Sequence, residues 1–337
     1  MSLSRAAGPS RFGVHWGAVP LLALAVGLDL LASRWLMAQV PRWLPPQAST
    51  AAPLVDGLFS LEVGIGCFLL LGCSAVMLWT VLFDRADKYD RDDGEPIEGN
   101  WILEITWTVI PLLLVLLIAA KAIAVNHELG SLGGKVRVAG AAEALRLVGV
   151  DGEPGMDVGE ANAGDSSDEL GPVVVIARQW SWEFIYPDGV RSAELHLPLN
   201  RPVRFRLLSL DVLHGFSIPA FRLRQDVVPG SVIDYRLTPS REGRYRLRDS
   251  LFSGAYFAAN QADVVVESPE AFEHWLAAAR VAPLQASPNA AHDLWRERQE
   301  RGNRGWATVA PAPPPLVQVP LRSEEHTSEL QSQFRIS

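Results

Sequence analysis

Cysteine is nearly absent from this chain. Only Cys67 and Cys73 occur among 337 residues, both inside an apolar run, and no CxxC or Cys/His cluster exists. That argues against a zinc site and leaves two thiols that read as membrane-buried. A basic excess is also lacking. Lys and Arg number 30 against 38 Asp and Glu, a formal net charge of −8, which argues against a nucleic-acid partner because phosphate binding needs a basic face. Charge is missing locally too: VGIGCFLLLGCSAVMLWTVLF (63–83) carries none over 21 positions.

About 20 apolar residues span a bilayer as a helix. The spacing predicts one span over 59–83 and a second over 103–125, the latter containing Pro111, which a neighbouring helix can accommodate. A third apolar segment, GAVPLLALAVGLDLLASRWLMA (17–38), is interrupted by Asp29 and Arg34. It reads as a retained helix or a signal peptide with a weak cleavage candidate at 47–52; the retained helix is favoured. Residues 1–52 thus form an N-terminal arm and 53–125 a membrane helix pair. With the N-terminus inside, 84–100 is cytoplasmic and everything after 125 outside; Arg85, Lys88 and Arg91 agree with this weakly.

Residues 126–171 hold ten glycines and nine acids against three bases, and read as a connector with an ordered strand pair at most. From Pro172 the pattern turns to period two. VVVIARQWSWEFIYPDG, RPVRFRLLSLD, SVIDYRLTP, GRYRLRD and ADVVVES imply a small antiparallel sandwich or barrel over 172–281. SPEAFEHWLAAAR, with a Ser cap and Pro at the first helical position, closes it as a helix. The tail 282–321 is partly Pro-rich, and its PAPPPLVQVP run reads as extended and disordered. Residues 322–337, with RSEEHTSELQS, resemble a translated sequencing adapter and are set apart as an artefact.

Three motifs fall into place on this frame: LEITWTVIP (103–111), RQWSWEFIYPDG (178–189) and LSLDVLHGFSIPAFRLRQDVVPG (208–230). Their order and spacing resemble subunit II of haem–copper respiratory oxidases. APLVDGLFSLEV and DDGEPIEGNWILEITWT look most like cyanobacterial versions. The resemblance implies a membrane helical hairpin, here with one extra N-terminal apolar segment, followed by a cupredoxin-like Greek-key sandwich. In that family the sandwich holds a two-copper centre fed by cytochrome c. Its ligands are a His, then Cys, Glu through its carbonyl, Cys, His and Met in one loop.

His214 in DVLHGF matches the first ligand. The remaining positions fall, without a gap, on Asp249, Leu251, Ser253, Phe257 and Asn260. Two bridging thiolates define such a centre, and Asp249 and Ser253 cannot replace them, so no metal or other cofactor is expected on this chain. The haems and copper belong to partner subunit I. Leu251 also stands where the family's Glu binds magnesium, which puts that ion in doubt.

Other positions carry a bland reading beside the one the resemblance implies. Glu104 is a solvated cap or the entrance of a proton channel into subunit I. Trp180 and Trp182, two apart, share a strand face and are core packing or the aromatic patch where electrons enter. Asp211, Arg224 and Asp226 are surface charges or contacts near the haem propionates of subunit I. His214, without its partners, reads as a buried, hydrogen-bonded remnant. Residues 201–248 hold ten arginines and four acids, a solvated strand face or a docking face for an acidic surface.

The copper-less relatives are quinol oxidases. The chain is therefore expected to be a non-haem subunit II of a quinol-type terminal oxidase that reduces O2 to water and moves protons. Expected partners are subunits I and III, quinol and the lipid bilayer, in a cyanobacterial-type plasma or thylakoid membrane with the sandwich on the outer or luminal side. One alternative is a conventional cytochrome c oxidase subunit 2; another is a membrane-tethered cupredoxin-like binding or assembly module.

Overall fold

The computed structural model describes residues 19–83, 99–132, 136–137, 169–302 and 308–320. Most of the segment 84–100, most of the connector and all of 322–337 lie outside the described residues. The chain divides into two units, the first comprising residues up to 44 and 56–122, the second 45–55 and everything from 123 on.

The first unit is helical. α1 (Val19–Trp43), α2 (Ala52–Phe83) and α3 (Trp101–Leu132) are each long and apolar enough to cross a membrane. All three extend beyond the sequence-predicted limits, because interfacial residues continue a helix whose hydrogen bonds are already propagating. Pro111 lies inside α3 without ending it. Asn100 starts that helix, its Oδ1 accepting from the backbone N–H of Ile102 at 3.1 Å and Leu103 at 3.3 Å.

The second unit is a two-sheet sandwich. One sheet runs, in spatial order, β1 (Val136–Arg137), β9 (Val232–Leu237), β6 (Val203–Ser209), β2 (Leu170–Arg178), β3 (Ser181–Ile185) and β4 (Arg191–Ser192). The other runs β5 (Leu195–Pro198), β11 (Gln261–Glu267), β10 (Gly243–Asp249), β7 (His214–Ile218) and β8 (Leu223–Val227). Alternation places Val173, Val175 and Ala177, then Val203, Phe205 and Leu207, in the buried core, where they meet Phe216, Ile218, Leu247 and Val264 of the facing sheet. The expectation of an antiparallel sandwich needs correction at two pairings: β2 runs parallel to β6, and β5 parallel to β11. Period-two alternation marks a face and is blind to strand direction.

Helix α4 (Pro269–Val281) closes the sandwich as expected. Ser268 Oγ accepts from Ala271 N at 3.2 Å, and Phe272, Leu276 and Ala279 enter the core.

Two findings depart from the sequence reading. Residues 45–51, between α1 and α2 in the chain, are built into the sandwich. Ala48 N–H donates to the Ala220 carbonyl at 3.0 Å, Thr50 N–H to Thr238 at 3.1 Å, and Ser49 Oγ to Phe221 at 2.8 Å. Nor is the tail disordered throughout. β12 (Leu284–Ala286), α5 (Ala290–Glu300) and β13 (Leu316–Gln318) follow α4, with β12 and β13 antiparallel. A proline-rich run need not be disordered where its flanks find pairing partners.

Candidate functional site

Three chain segments meet at one end of the sandwich: the turn 209–213 before β7, the turn at 179–180 before β3, and the loop 250–260 between β10 and β11. Gly215 is what lets β7 approach that loop, because a Cβ there would lie 2.2 Å from Ser250 Oγ and 2.9 Å from the Ser250 and Leu251 backbone nitrogens. Gly254, at φ +118, does the same on the other side, where a Cβ would meet Trp180 Cζ2 at 2.7 Å.

Inside this junction His214, Asp249, Ser253 and Asn260 form one buried network. His214 Nδ1 donates to Asp249 Oδ2 at 2.7 Å and Nε2 to Asp211 Oδ1 at 2.9 Å. A ring that donates from both nitrogens is an imidazolium. Asp249 Oδ2 also accepts from Ser253 Oγ at 2.8 Å and Asn260 Nδ2 at 3.1 Å, while Oδ1 accepts the backbone N–H of Gly215 at 2.7 Å and of Leu251 at 3.2 Å. Five donors therefore saturate one buried carboxylate. Asn260 Oδ1 is buried without a hydrogen-bond partner.

The electrostatics follow. Burial pushes the His214 pKa down, but the hydrogen bonds and charges of Asp211 and Asp249 outweigh it and raise the pKa to about 8. Burial pushes Asp249 up, and the donors from His214, Gly215, Ser253 and Asn260 overcome this and hold it below the usual carboxylate range. Asp211 behaves likewise, lowered against burial by His214 and by the backbone N–H groups of Val212 and Gln179.

Of the six positions that the resemblance pairs with copper ligands, four are brought together: His214, Asp249, Ser253 and Asn260. Leu251 contributes only its backbone N–H, and Phe257 stacks edge-on against the exposed Phe252 at 5.2 Å between ring centroids. The two tryptophans correct the expectation of a shared strand face. Trp182 is in β3, but Trp180 sits in the preceding turn. Both are buried, so they form no exposed patch. Each indole aims at the loop: Trp180 Nε1 donates to the Ser253 carbonyl and Trp182 Nε1 to that of Asn260, both at 3.2 Å.

Asp211 joins the network, whereas Arg224 and Asp226 lie exposed on β8 outside it. Glu104 lies in the first turn of α3 and is exposed. Among the described residues, no group of three or more His, Cys, Asp or Glu is arranged to hold a metal ion.

Sequence reasoning missed Gln179. Its N–H donates to Asp211 Oδ2 and its Nε2 to the Ser253 carbonyl, each at 2.6 Å, tying all three segments together. No pattern marks it. It also missed Asn289, whose signal was legible as a polar cap before an amphipathic run.

Fold and site together define a membrane-anchored β-sandwich protein whose loop cluster encloses a charged, hydrogen-bonded core. The sequence matches the family models for the cytochrome c oxidase subunit II transmembrane domain over residues 41–125 and periplasmic domain over residues 190–268. It is 33% identical to cytochrome c oxidase subunit 2 of Synechocystis sp. over 280 residues, 79% of this chain and 84% of that protein. The corresponding protein of Thermostichus vulcanus is 34% identical over 69% of this chain and 77% of its own length. Quinol oxidase subunit 2 of Bacillus subtilis is 25% identical over 69% and 64%. The chain belongs to the cytochrome c oxidase subunit II family, and is a membrane subunit of a haem–copper terminal oxidase, an oxidoreductase.

Proposed function

We propose that this chain serves a quinol-type oxidase, in which electrons reach the haem of subunit I directly and the family's paired copper centre is lost. The observation that carries this reading is the state of Asp249. It stands at the first thiolate position, and its two oxygens accept five hydrogen bonds, one of them from His214. That donor set does not fit a pair of copper ions bridged by sulfur: it offers no sulfur, and both nitrogens of its one imidazole face carboxylates.

In this reading the chain anchors and covers the oxidase on the outer or luminal side of a cyanobacterial-type membrane, with subunits I and III as partners. α2 and α3 act as the membrane hairpin, α1 is an additional span, and the sandwich is the Greek-key cupredoxin-like domain. Residues 45–51, which hydrogen-bond within the sandwich, support an α1–α2 connection that shares the sandwich's side of the membrane. Glu104, at the start of α3, serves as the proton entrance.

The test is the assembled oxidase assayed in parallel with reduced quinol and with reduced cytochrome c, together with copper titration followed by electron spin resonance. Quinol turnover without cytochrome c turnover or a mixed-valence signal is expected. The second reading, a conventional cytochrome c oxidase subunit, is favoured by the names of the relatives at 33% and 34% identity; it requires the opposite result.

A further inference from the structure

The family models end at residue 268, yet the chain beyond α4 is seated on the sandwich, in part on the backbone at 179–180. Asn289 secures it from two directions. Its Oδ1 accepts from His292 N at 3.0 Å and caps α5, while its Nδ2 donates to the Trp180 carbonyl at 3.2 Å. Ala312 N–H donates to the Gln179 carbonyl at 2.6 Å. Gln318 Oε1 accepts from Arg191 N at 2.6 Å, which pins β13 beside β4. Ala291 and Val317 are buried by these contacts. On the other flank α5 packs on the 3-10 turn 257–259, and Leu294 lines a pocket with Tyr256, whose ring meets Trp180 edge-on at 5.1 Å.

Trp180 is 2% exposed although it belongs to a turn and to no strand. Turns run over protein surfaces, so a bulky indole in one needs a cover: Ser253, Gly254 and Tyr256 lie against the ring, and residues after α4 hydrogen-bond to the backbone that carries it. The cover lies over the same loop cluster that contains His214 and Asp249. Even the weak encounters typical of electron-transfer proteins need up to about 1,200 Å² of accessible surface.

We propose that the described residues after α4, 284–302 and 308–318, form a closing strap that covers the Trp180 end of the sandwich and denies it to a soluble protein donor. The closure stands on the contacts above and does not depend on the quinol-type reading.

The test is hydroxyl-radical footprinting, read by mass spectrometry, on the assembled detergent-solubilised oxidase. Trp182, buried in the core, is the internal control. In the intact protein Trp180 is expected to be as protected as Trp182. Truncation after Ala282 is expected to raise modification of Trp180 several-fold and leave Trp182 unchanged. The strap is refuted if Trp180 is already as reactive as an exposed aromatic in the intact protein, or stays protected after truncation. Should truncation open the sandwich and expose both, Asn289→Ala decides. A rise at Trp180 alone supports the strap; no rise, or a rise at both tryptophans, overturns it.

The truncated oxidase is also assayed with both donors. Retained quinol turnover is expected, with none from cytochrome c. A gain of cytochrome c turnover would leave the strap standing as a donor barrier and break the quinol reading, so the two failures are distinguishable.

Discussion

His214 Nδ1 lies 2.7 Å from Oδ2 of Asp249, and both side chains are fully buried. A lone imidazolium or carboxylate at this depth is strongly disfavoured. As a pair, with hydrogen bonds filling the remaining positions, they are accommodated. The pair also holds the end of β10 to the start of β7, as side chains on those two strands.

The pH dependence of stability follows from this pair and from a second histidine. His196 is also raised: burial lowers its pKa, but Glu194 and Glu267 outweigh that. A group whose pKa rises on folding contributes its stability in full below its ordinary value of 6.5 and loses it as pH climbs through the folded value, about 8 for His214. The lowered Asp211 and Asp249 contribute above their ordinary value of 3.8 and lose it as pH falls further. The Tm of the chain is therefore expected to be highest between these limits and to decline towards pH 8 and above. A decline equally steep after His196→Gln and His214→Gln would contradict the assignment.

Asp249→Ala removes the acceptor for five donors and strands the imidazolium. Breaking a buried pair from one side costs about 3–5 kcal/mol. Chemical denaturation should show that loss, and a double-mutant cycle with His214→Gln should show that the two effects do not add.

Gly215→Ala drives a methyl group into the backbone of Ser250 and Leu251, which has no flexible end to swing away. Overpacking of this kind costs about 1–3 kcal/mol. Gly189→Ala serves as the control, since a Cβ there has nothing within 4 Å and carries only the strain of φ +82. The comparison fails if Gly215→Ala is the milder of the two.

Grafting the family's ligands tests how well the frame is kept. Asp249→Cys, Leu251→Glu, Ser253→Cys, Phe257→His and Asn260→Met together are expected to bind copper and give a mixed-valence spin signal that the parent chain does not. A grafted chain that folds and stays free of copper would show that the loop no longer has the required shape.

Glu104→Gln keeps the size of the side chain and removes its proton. If Glu104 admits protons, oxidase turnover should fall several-fold while assembly with subunit I is unchanged. Full activity in that variant would return Glu104 to the role of a solvated helix cap.

The sequence by itself determined the membrane helices, the strand faces and the Ser268 cap, because each is written in a local period or a single turn of chain. Through the family resemblance it also marked six positions to compare with copper ligands, since the loop keeps its length around Gly254. What the residues at those positions do was decided by tertiary structure. Asp249, Ser253 and Asn260 are unremarkable polar residues until the fold carries them to His214, more than thirty positions away. The same holds for Trp180, which alternation with Trp182 assigned to a strand face and which in fact sits in a turn covered by distant residues. The parallel β2–β6 and β5–β11 pairings were equally out of reach. Periodicity reports which side of a strand faces the core; which strand lies beside it, and in which direction, is settled only when the whole chain packs.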